Sequence, residues 1–367
     1  MEITLKKEDI VSALNITLGV VEKRQTLPIL ANVLFEADEN SFKLTATDLE
    51  SEVTTSGSLS SIEASGKLTT SAKKLNELCR LIPDGEEINF SLISDKLNIK
   101  TKNGKYSLST LPSADFPIFD IDSGDMPLII PAKDLLGLIK NTSFAMGNQD
   151  WRHYLNGLFI SIDDKIITTV ATDAHRLALA TSSLNEAATE MTTGIVPRKS
   201  INEIGKLVGD ESENVVIKLG QTSISVHVSG TTFISKLIEG KFPDYEQVIP
   251  TGESSILNID RKILSDSLSR VSVLSSEKYK GIRILTSENS LNISANNPEK
   301  EQGEENISCD YKGEKIDIAF NVNYLQEILS TIDSDQIEIN FFGSEKSCLI
   351  TDPTKDSFKY VVMPLLL

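Results

Sequence analysis

The chain has 367 residues, 40% of them apolar and 24% charged, and its 36 Lys+Arg against 53 Asp+Glu give a formal charge of −17. That balance excludes a basic nucleic-acid coat, and the apolar share excludes a disordered or collagen-like chain. At roughly 100 to 200 residues per domain, two or three domains are expected.

The N-terminal MEITLKKEDIVSAL reads as a strand running into a helix over 6–18, with apolar residues three or four apart. It mixes acids and bases where a secretory signal would be apolar. Next, LANVLFEADENSFKLTATDLESEV (30–53) reads as strand, turn, strand and a polar signature. GKLTTSAKKLNELCRLI (66–82) is a strand entering a helix over 71–82. Leu75, Leu78, Cys79 and Ile82 share one face of that helix, with Lys73, Glu77 and Arg80 opposite. Alternating strands close the segment at STLPSADFP (109–117).

The same order then recurs twice. LIIPAKDLLGLIK opens a second copy with a helix over 133–141, and SILNIDRKILSDSL a third with one over 260–270. The strand–turn–strand unit returns at 155–179 and 279–303, so that Ala46, Ala171 and Ala295 correspond. The second helix returns over 198–208 and 322–332, where Leu75, Ile201 and Leu325 correspond, and the closing strands end in SKLIEGKFP and YVVMP. An interval of about 125 residues kept through every element is the mark of a repeat architecture. The reading is an α+β fold of three tandem copies, 1–125, 126–252 and 253–367, each with two helices packed on antiparallel sheets.

Charge is divided between the elements. The six predicted helices hold 13 basic and 8 acidic residues, a net of +5, so strands and loops carry −22. Lys73 maps on Lys199 and Arg80 on Lys206, whereas the third copy has Asn323 and Ser330 there. For one helix this is ordinary solvation of an exposed face; recurrence in two copies points to a polyanion held weakly and without sequence reading.

No phosphate-loop, dinucleotide, HExxH or GxSxG motif is present. The three histidines, His153, His175 and His227, occur singly, and Cys79, Cys309 and Cys348 lack CxxC spacing, so neither a metal nor a disulfide framework is expected. Asp173 with His175 is a weak candidate acid–base pair, since residues so placed more often hold a turn. No cofactor is implied. Without a run of about 18 uncharged apolar residues there is no membrane partner either, and a reducing cytoplasm fits best.

Nine segments together resemble the bacterial DNA polymerase III β subunit, the replicative sliding clamps: LPIL (27–30), TATDLE (45–50), STLPSADFP, QDWRHYLNG (149–157), VATDAHRLA (170–178), IVPRK (195–199), FPDY (242–245), SANNPE (294–299) and YVVMP (360–364). The resemblance spans the chain. It implies a non-catalytic processivity factor: a head-to-tail homodimer forming a six-domain ring around double-stranded DNA. Its partners would be the polymerase III α subunit, the clamp loader, other polymerases and repair proteins, docked through short peptides. A docking scaffold that never surrounds DNA is the alternative, and a hydrolase using Asp173 and His175 a third reading.

By this resemblance DNA meets Arg24, Lys73, Arg80, Gln149, His153, Tyr154, Lys199 and Lys206, with His153 standing where the family commonly has tyrosine. The peptide pocket falls at Leu155, Thr172, Ala174, His175, Arg176, Leu177, Pro243, Gln247 and Val248. It continues at Tyr279, Asn321, Tyr324, Ser347, Val361, Val362, Met363, Pro364 and Leu365. Ala174 replaces a common glycine, Gln247 a common arginine and Leu366 a terminal basic residue, which bears on peptide preference at the rim. For ring closure, KYSLSTL (105–111) would be an unprotected edge in a monomer. Tyr106 and Leu108 would face Val273 and Leu274 of a second subunit, with Lys74 near Glu299.

Overall fold

The computed structural model describes residues 1–21, 27–119, 126–209 and 214–365. Six α-helices lie among them: α1 Lys7–Thr17, α2 Ala72–Arg80, α3 Ala132–Thr142, α4 Arg198–Val208, α5 Arg261–Ser272 and α6 Val322–Thr331. Each follows directly on a strand, where the apolar period changes from two to 3.6. In α2 and α5 the change is fixed by a cap: Ser71 Oγ accepts from Lys74 N, and Asp260 Oδ1 from Ile263 N at 2.8 Å, each satisfying one of the first-turn N–H groups that the helix leaves unpaired.

The chain forms two compact units. The first comprises Met1–Ala132 and Asn202–Leu237. It holds one antiparallel sheet of thirteen strands running from Leu128–Pro131 at one end to Ser61–Ala64 at the other. Four strands of the second copy, Leu128–Pro131, Asn214–Leu219, Ser223–Val228 and Thr231–Lys236, enter this sheet because Thr231–Lys236 pairs with Ser51–Ser58. Thr55 and Thr231 join hydroxyls across that seam at 2.9 Å. Beneath the sheet, α1 and α2 pack on each other, burying Ile10, Ala13 and Leu14 from one and Leu75 and Cys79 from the other. Phe35 meets Phe42 and Phe90 edge-on at 5.7 and 5.6 Å, a geometry that adds about 0.5–1.5 kcal/mol per pair to simple burial.

The second unit comprises Lys133–Ile201 and Ile238–Leu367. Its nine-stranded sheet repeats the device: Arg176–Ser183, from the second copy, pairs with Lys355–Val362, the closing strand of the third. A separate four-stranded sheet runs Gln302–Ser308, Ser290–Asn296, Gly281–Ser287, Asp317–Asn321, and α5 packs on it and on α6. Tyr360, fully buried, ties α3 and α6 to the larger sheet: its hydroxyl donates to Asn141 Oδ1 at 2.8 Å and accepts from Thr331 Oγ1 at 3.3 Å. Burial pushes its phenol up to about 12. No helix among the described residues is long and apolar enough to cross a membrane.

Candidate DNA- and peptide-binding surfaces

The polar signature of the first two copies is a turn built twice. At 47–51, Thr47 Oγ1 donates to Ser51 O and accepts from Leu49 N, while Asp48 Oδ1 accepts from the N–H groups of Glu50 and Ser51. At 172–176, Thr172 Oγ1 donates to Arg176 O at 2.6 Å and accepts from Ala174 N at 3.1 Å, and Asp173 Oδ1 accepts from His175 N and Arg176 N. Leu49 and Ala174 both sit at φ 74°, a left-handed conformation that favours glycine. Asp173 is therefore a turn-former. The His175 ring stacks over Tyr324, with centroids 6.4 Å apart, and the acid–base reading of the two residues has no geometry behind it.

The two turns share their first two residues and differ at the last three, and the fifth sets them apart most. Where the first has Ser51, the second has Arg176, only 8% exposed. Its guanidinium pairs with Asp173 Oδ2 at 3.1 Å and with Glu327, and donates to Phe144 O at 2.8 Å. The faces of Tyr324 and Phe144 lie 4.5 and 5.2 Å away. Arg176 thus fixes the turn against α6 and is committed within the protein, a role that its place in VATDAHRLA does not signal.

Behind this turn lies an apolar cluster of Val170, Leu177, Leu179, Ile195, Phe242 and Val361, on which Tyr154, Phe159, Tyr245, Val248 and Leu349 pack half-buried. Phe159 and Phe242 stack at 4.8 Å. Of the residues assigned to the peptide pocket, Leu155, Thr172, Leu177, Val361 and Val362 are buried. Ala174, Pro243, Val248, Asn321, Tyr324, Ser347, Pro364 and Leu365 are half-buried, while His175, Gln247, Tyr279 and Met363 are exposed. The C-terminal segment joins the two sheets of this unit: Met363 N donates to His175 O at 2.9 Å and Leu365 N to Ala319 O at 2.8 Å. Gln247 is held by Asp244 at 2.7 Å. Tyr279 and Leu365 also line a groove of about 700 Å³ with Arg283, Gln302 and Glu304, residues for which the sequence carries no signal. Leu366 lies outside the described residues.

The basic residues assigned to DNA project from exposed helix faces and one loop. Lys73, Arg80, Lys199 and Lys206 are exposed, as are Gln149 and His153, and Tyr154 is half-buried against the apolar cluster. Lys73 lies 3.7 Å from Glu77, and Lys206 2.7 Å from Glu203. The Lys73–Glu77 pair is exposed on both sides and worth under about 1 kcal/mol, so Lys73 can exchange its carboxylate for a phosphate at small cost, whereas the Glu203 side chain beside Lys206 is only 14% exposed. Arg24 lies outside the described residues. Among those residues no group of three His, Cys, Asp or Glu is placed to hold a metal.

One expectation needs correction. The strand Lys105–Leu111 is not a free edge along its whole length: one side pairs with Lys96–Lys100, and Thr110 and Leu111 pair with Thr70 and Thr69 on the other. Thr70 Oγ1 also takes the Ser109 carbonyl at 3.1 Å. The open edge is 105–108, which includes Tyr106 and Leu108. The sheet turns from one neighbour to the next at this strand, and among the described residues only its first half lacks a second partner. Of the other residues assigned to the subunit interface, Val273 is 77% exposed, Lys74 and Glu299 are exposed, and Leu274 packs beside Gly303 on the outermost strand Gln302–Ser308.

Models of the DNA polymerase III beta subunit match the chain three times: the N-terminal domain over 1–120, the central domain over 129–244 and the C-terminal domain over 246–366. The chain belongs to the DNA polymerase III beta subunit family. It is 40% identical to the beta sliding clamp of Pseudomonas putida and 35% identical to that of Escherichia coli, over all of each chain. The crystal structure of the Pseudomonas aeruginosa DNA polymerase III subunit beta superposes with a TM-score of 0.98 at 39% identity, again over the whole of both chains. A second structure of that clamp, bound to griselimycin, gives 0.97. The fold is therefore three tandem clamp domains of helices and antiparallel sheets, and the family function is that of a sliding clamp, a processivity factor that makes and breaks no bond.

Proposed function

We propose that this chain forms a head-to-tail homodimer that closes around duplex DNA and tethers replicative enzymes by docking their short peptides. The observation that carries the reading is charge placement. The six helices of the structure hold 12 basic and 7 acidic residues, while the whole chain is −17. A grip on phosphates by affinity alone needs many cations and falls steeply with salt. A closed ring needs only enough helical charge to seat the duplex, and acidic strands on the outside keep it central.

Closure would join the open 105–108 edge of one subunit to Gln302–Ser308 of the other. Each leaves a row of unpaired backbone groups that strand addition satisfies. Tyr106 and Leu108 would then pack against Val273 and Leu274, and Lys74 would approach Glu299. DNA would be met by Arg24, Lys73, Arg80, Gln149, His153, Tyr154, Lys199 and Lys206. Peptides from the polymerase III α subunit, the clamp loader and other polymerases and repair proteins would place apolar anchors over Val248, Pro243 and Met363, with Tyr324 and His175 beside them. Docking raises the enzyme's local concentration at the primer end, in the cytoplasm where replication proceeds.

Sedimentation tests the assembly. The chain of 40.2 kDa should run at twice that mass, and Leu274→Glu or Leu108→Glu should each give folded monomers. Unchanged dimers in both variants would overturn the interface.

A further inference from the structure

Trp151, the chain's single tryptophan, is 82% exposed on a loop whose backbone is locked. Asn156 closes the loop: its Oδ1 accepts from Asp150 N at 2.9 Å and its Nδ2 donates to Asp150 O at 2.8 Å. Gly147 N donates to Leu155 O at 2.7 Å, at an approach where a Cβ would lie 3.0 Å from that oxygen. Arg198 holds the carbonyls of Met146 and Gly147 from the start of α4, and Gln149 takes the left-handed φ of 56° that the bend requires. A large ring held in water by so rigid a base forgoes the burial that draws most large apolar side chains inward, and stands ready to meet a ligand.

The ring's surroundings define that ligand. Arg152 lies with its guanidinium carbon 5.7 Å from the indole centroid, and it also clasps Asp150 through two bonds of 3.0 and 2.8 Å. The one carboxylate of the loop is thereby neutralised, its pKa held down to about 2 by the Arg152 bonds. Exposed His153 and Gln149 flank the ring in sequence. Protein docking sites gather several large apolar side chains, but no other residue from Ser143 to Gly157 is a large exposed apolar one. A lone flat ring with the hydrogen-bonding side chains of Gln149 and His153 near it in sequence is instead the kind of platform on which an unpaired base stacks.

We infer that Trp151 is a stacking platform for an unpaired base of single-stranded DNA, positioned beside the duplex contacts at Gln149 and His153. This rests on the proposed encirclement of DNA and extends it to the single-stranded side of a primer–template junction.

Because the chain has one tryptophan, its emission reports this site alone. Adding an oligothymidylate to the intact protein should quench it, and adding blunt duplex should not. Trp151→Ala should weaken binding of a labelled oligothymidylate by about tenfold, within the range for one stacked base, with an unchanged melting temperature, and Trp151→Phe should restore most of the affinity. Equal affinity of wild type and Trp151→Ala, or equal quenching by duplex, would overturn the proposal. So would quenching by a clamp-binding peptide without quenching by DNA, which would assign the ring to protein docking. Retention of the wild-type protein on nicked circular duplex tests encirclement separately, so failure of one reading is distinguishable from failure of the other.

Discussion

The turns at 47–51 and 172–176 share a threonine, an aspartate, a left-handed third residue and the same four hydrogen bonds. Each feeds a strand that pairs with the closing strand of the following copy, Thr231–Lys236 in one case and Lys355–Val362 in the other. Only the second stands among the residues assigned to peptide docking. The difference lies in what the fifth residue does: Ser51 bonds back to its own Asp48 at 3.0 Å, whereas Arg176 reaches out to Glu327 and Phe144. One turn ends a hairpin; the other anchors a surface made from two copies of the repeat.

Removing the two fifth residues breaks that contrast with the greatest effect. Arg176→Ala leaves Asp173 and Glu327 without their cation and should cost about 3 kcal/mol in urea denaturation, together with loss of peptide binding. Ser51→Ala should cost about 1 kcal/mol or less and leave peptide binding intact. Equal losses at the two positions would mean that the turns are equivalent after all.

The closing strands sharpen it next. Tyr360 faces the second turn's strand opposite Ala178 and bonds Asn141 and Thr331. Tyr360→Phe should cost about 1–3 kcal/mol by orphaning a buried acceptor. The phenol ionises at about 12 in the folded protein against an ordinary value of 10.0. Its neutral form is therefore favoured by folding, and its contribution is complete below pH 10 and is lost as pH rises from 10 towards 12. Chemical denaturation across that window should show a fall in wild type that is smaller in Tyr360→Phe.

The smallest effect compares like with like. Ala174→Gly and Leu49→Gly relieve the same left-handed strain, so each should gain up to about 1 kcal/mol, less the extra freedom of glycine in the unfolded chain. A gain at one and a loss at the other, read by thermal melts, would show that the side chain at that turn matters beyond its φ.

Local structure is legible in the sequence because each helix begins where a strand's alternation ends. The helix expected over 198–208 is Arg198–Val208, and those expected over 133–141 and 322–332 are Ala132–Thr142 and Val322–Thr331. The equivalence of Ala46, Ala171 and Ala295 also holds, since each is the sixth residue of its strand. Pairing between copies is not legible: nothing near Thr231 announces a partner at Thr55, because the match is made by sheet edges far apart in sequence. For the same reason the pattern over 105–111 suggests a wholly open edge, although Thr70 and Thr69 close its last two residues. Arg176 resembles a surface contact because a sequence shows its charge and not the Asp173, Glu327 and Phe144 groups that absorb it.

Enclosure rather than affinity would hold this protein on DNA, and the most direct test of that claim loads it with its clamp loader onto nicked circular duplex, washes at high salt, then linearises half of the sample. Protein should stay on the circles and be lost from the linear molecules within the same wash. Equal retention on both forms, or equal loss from both, would contradict enclosure.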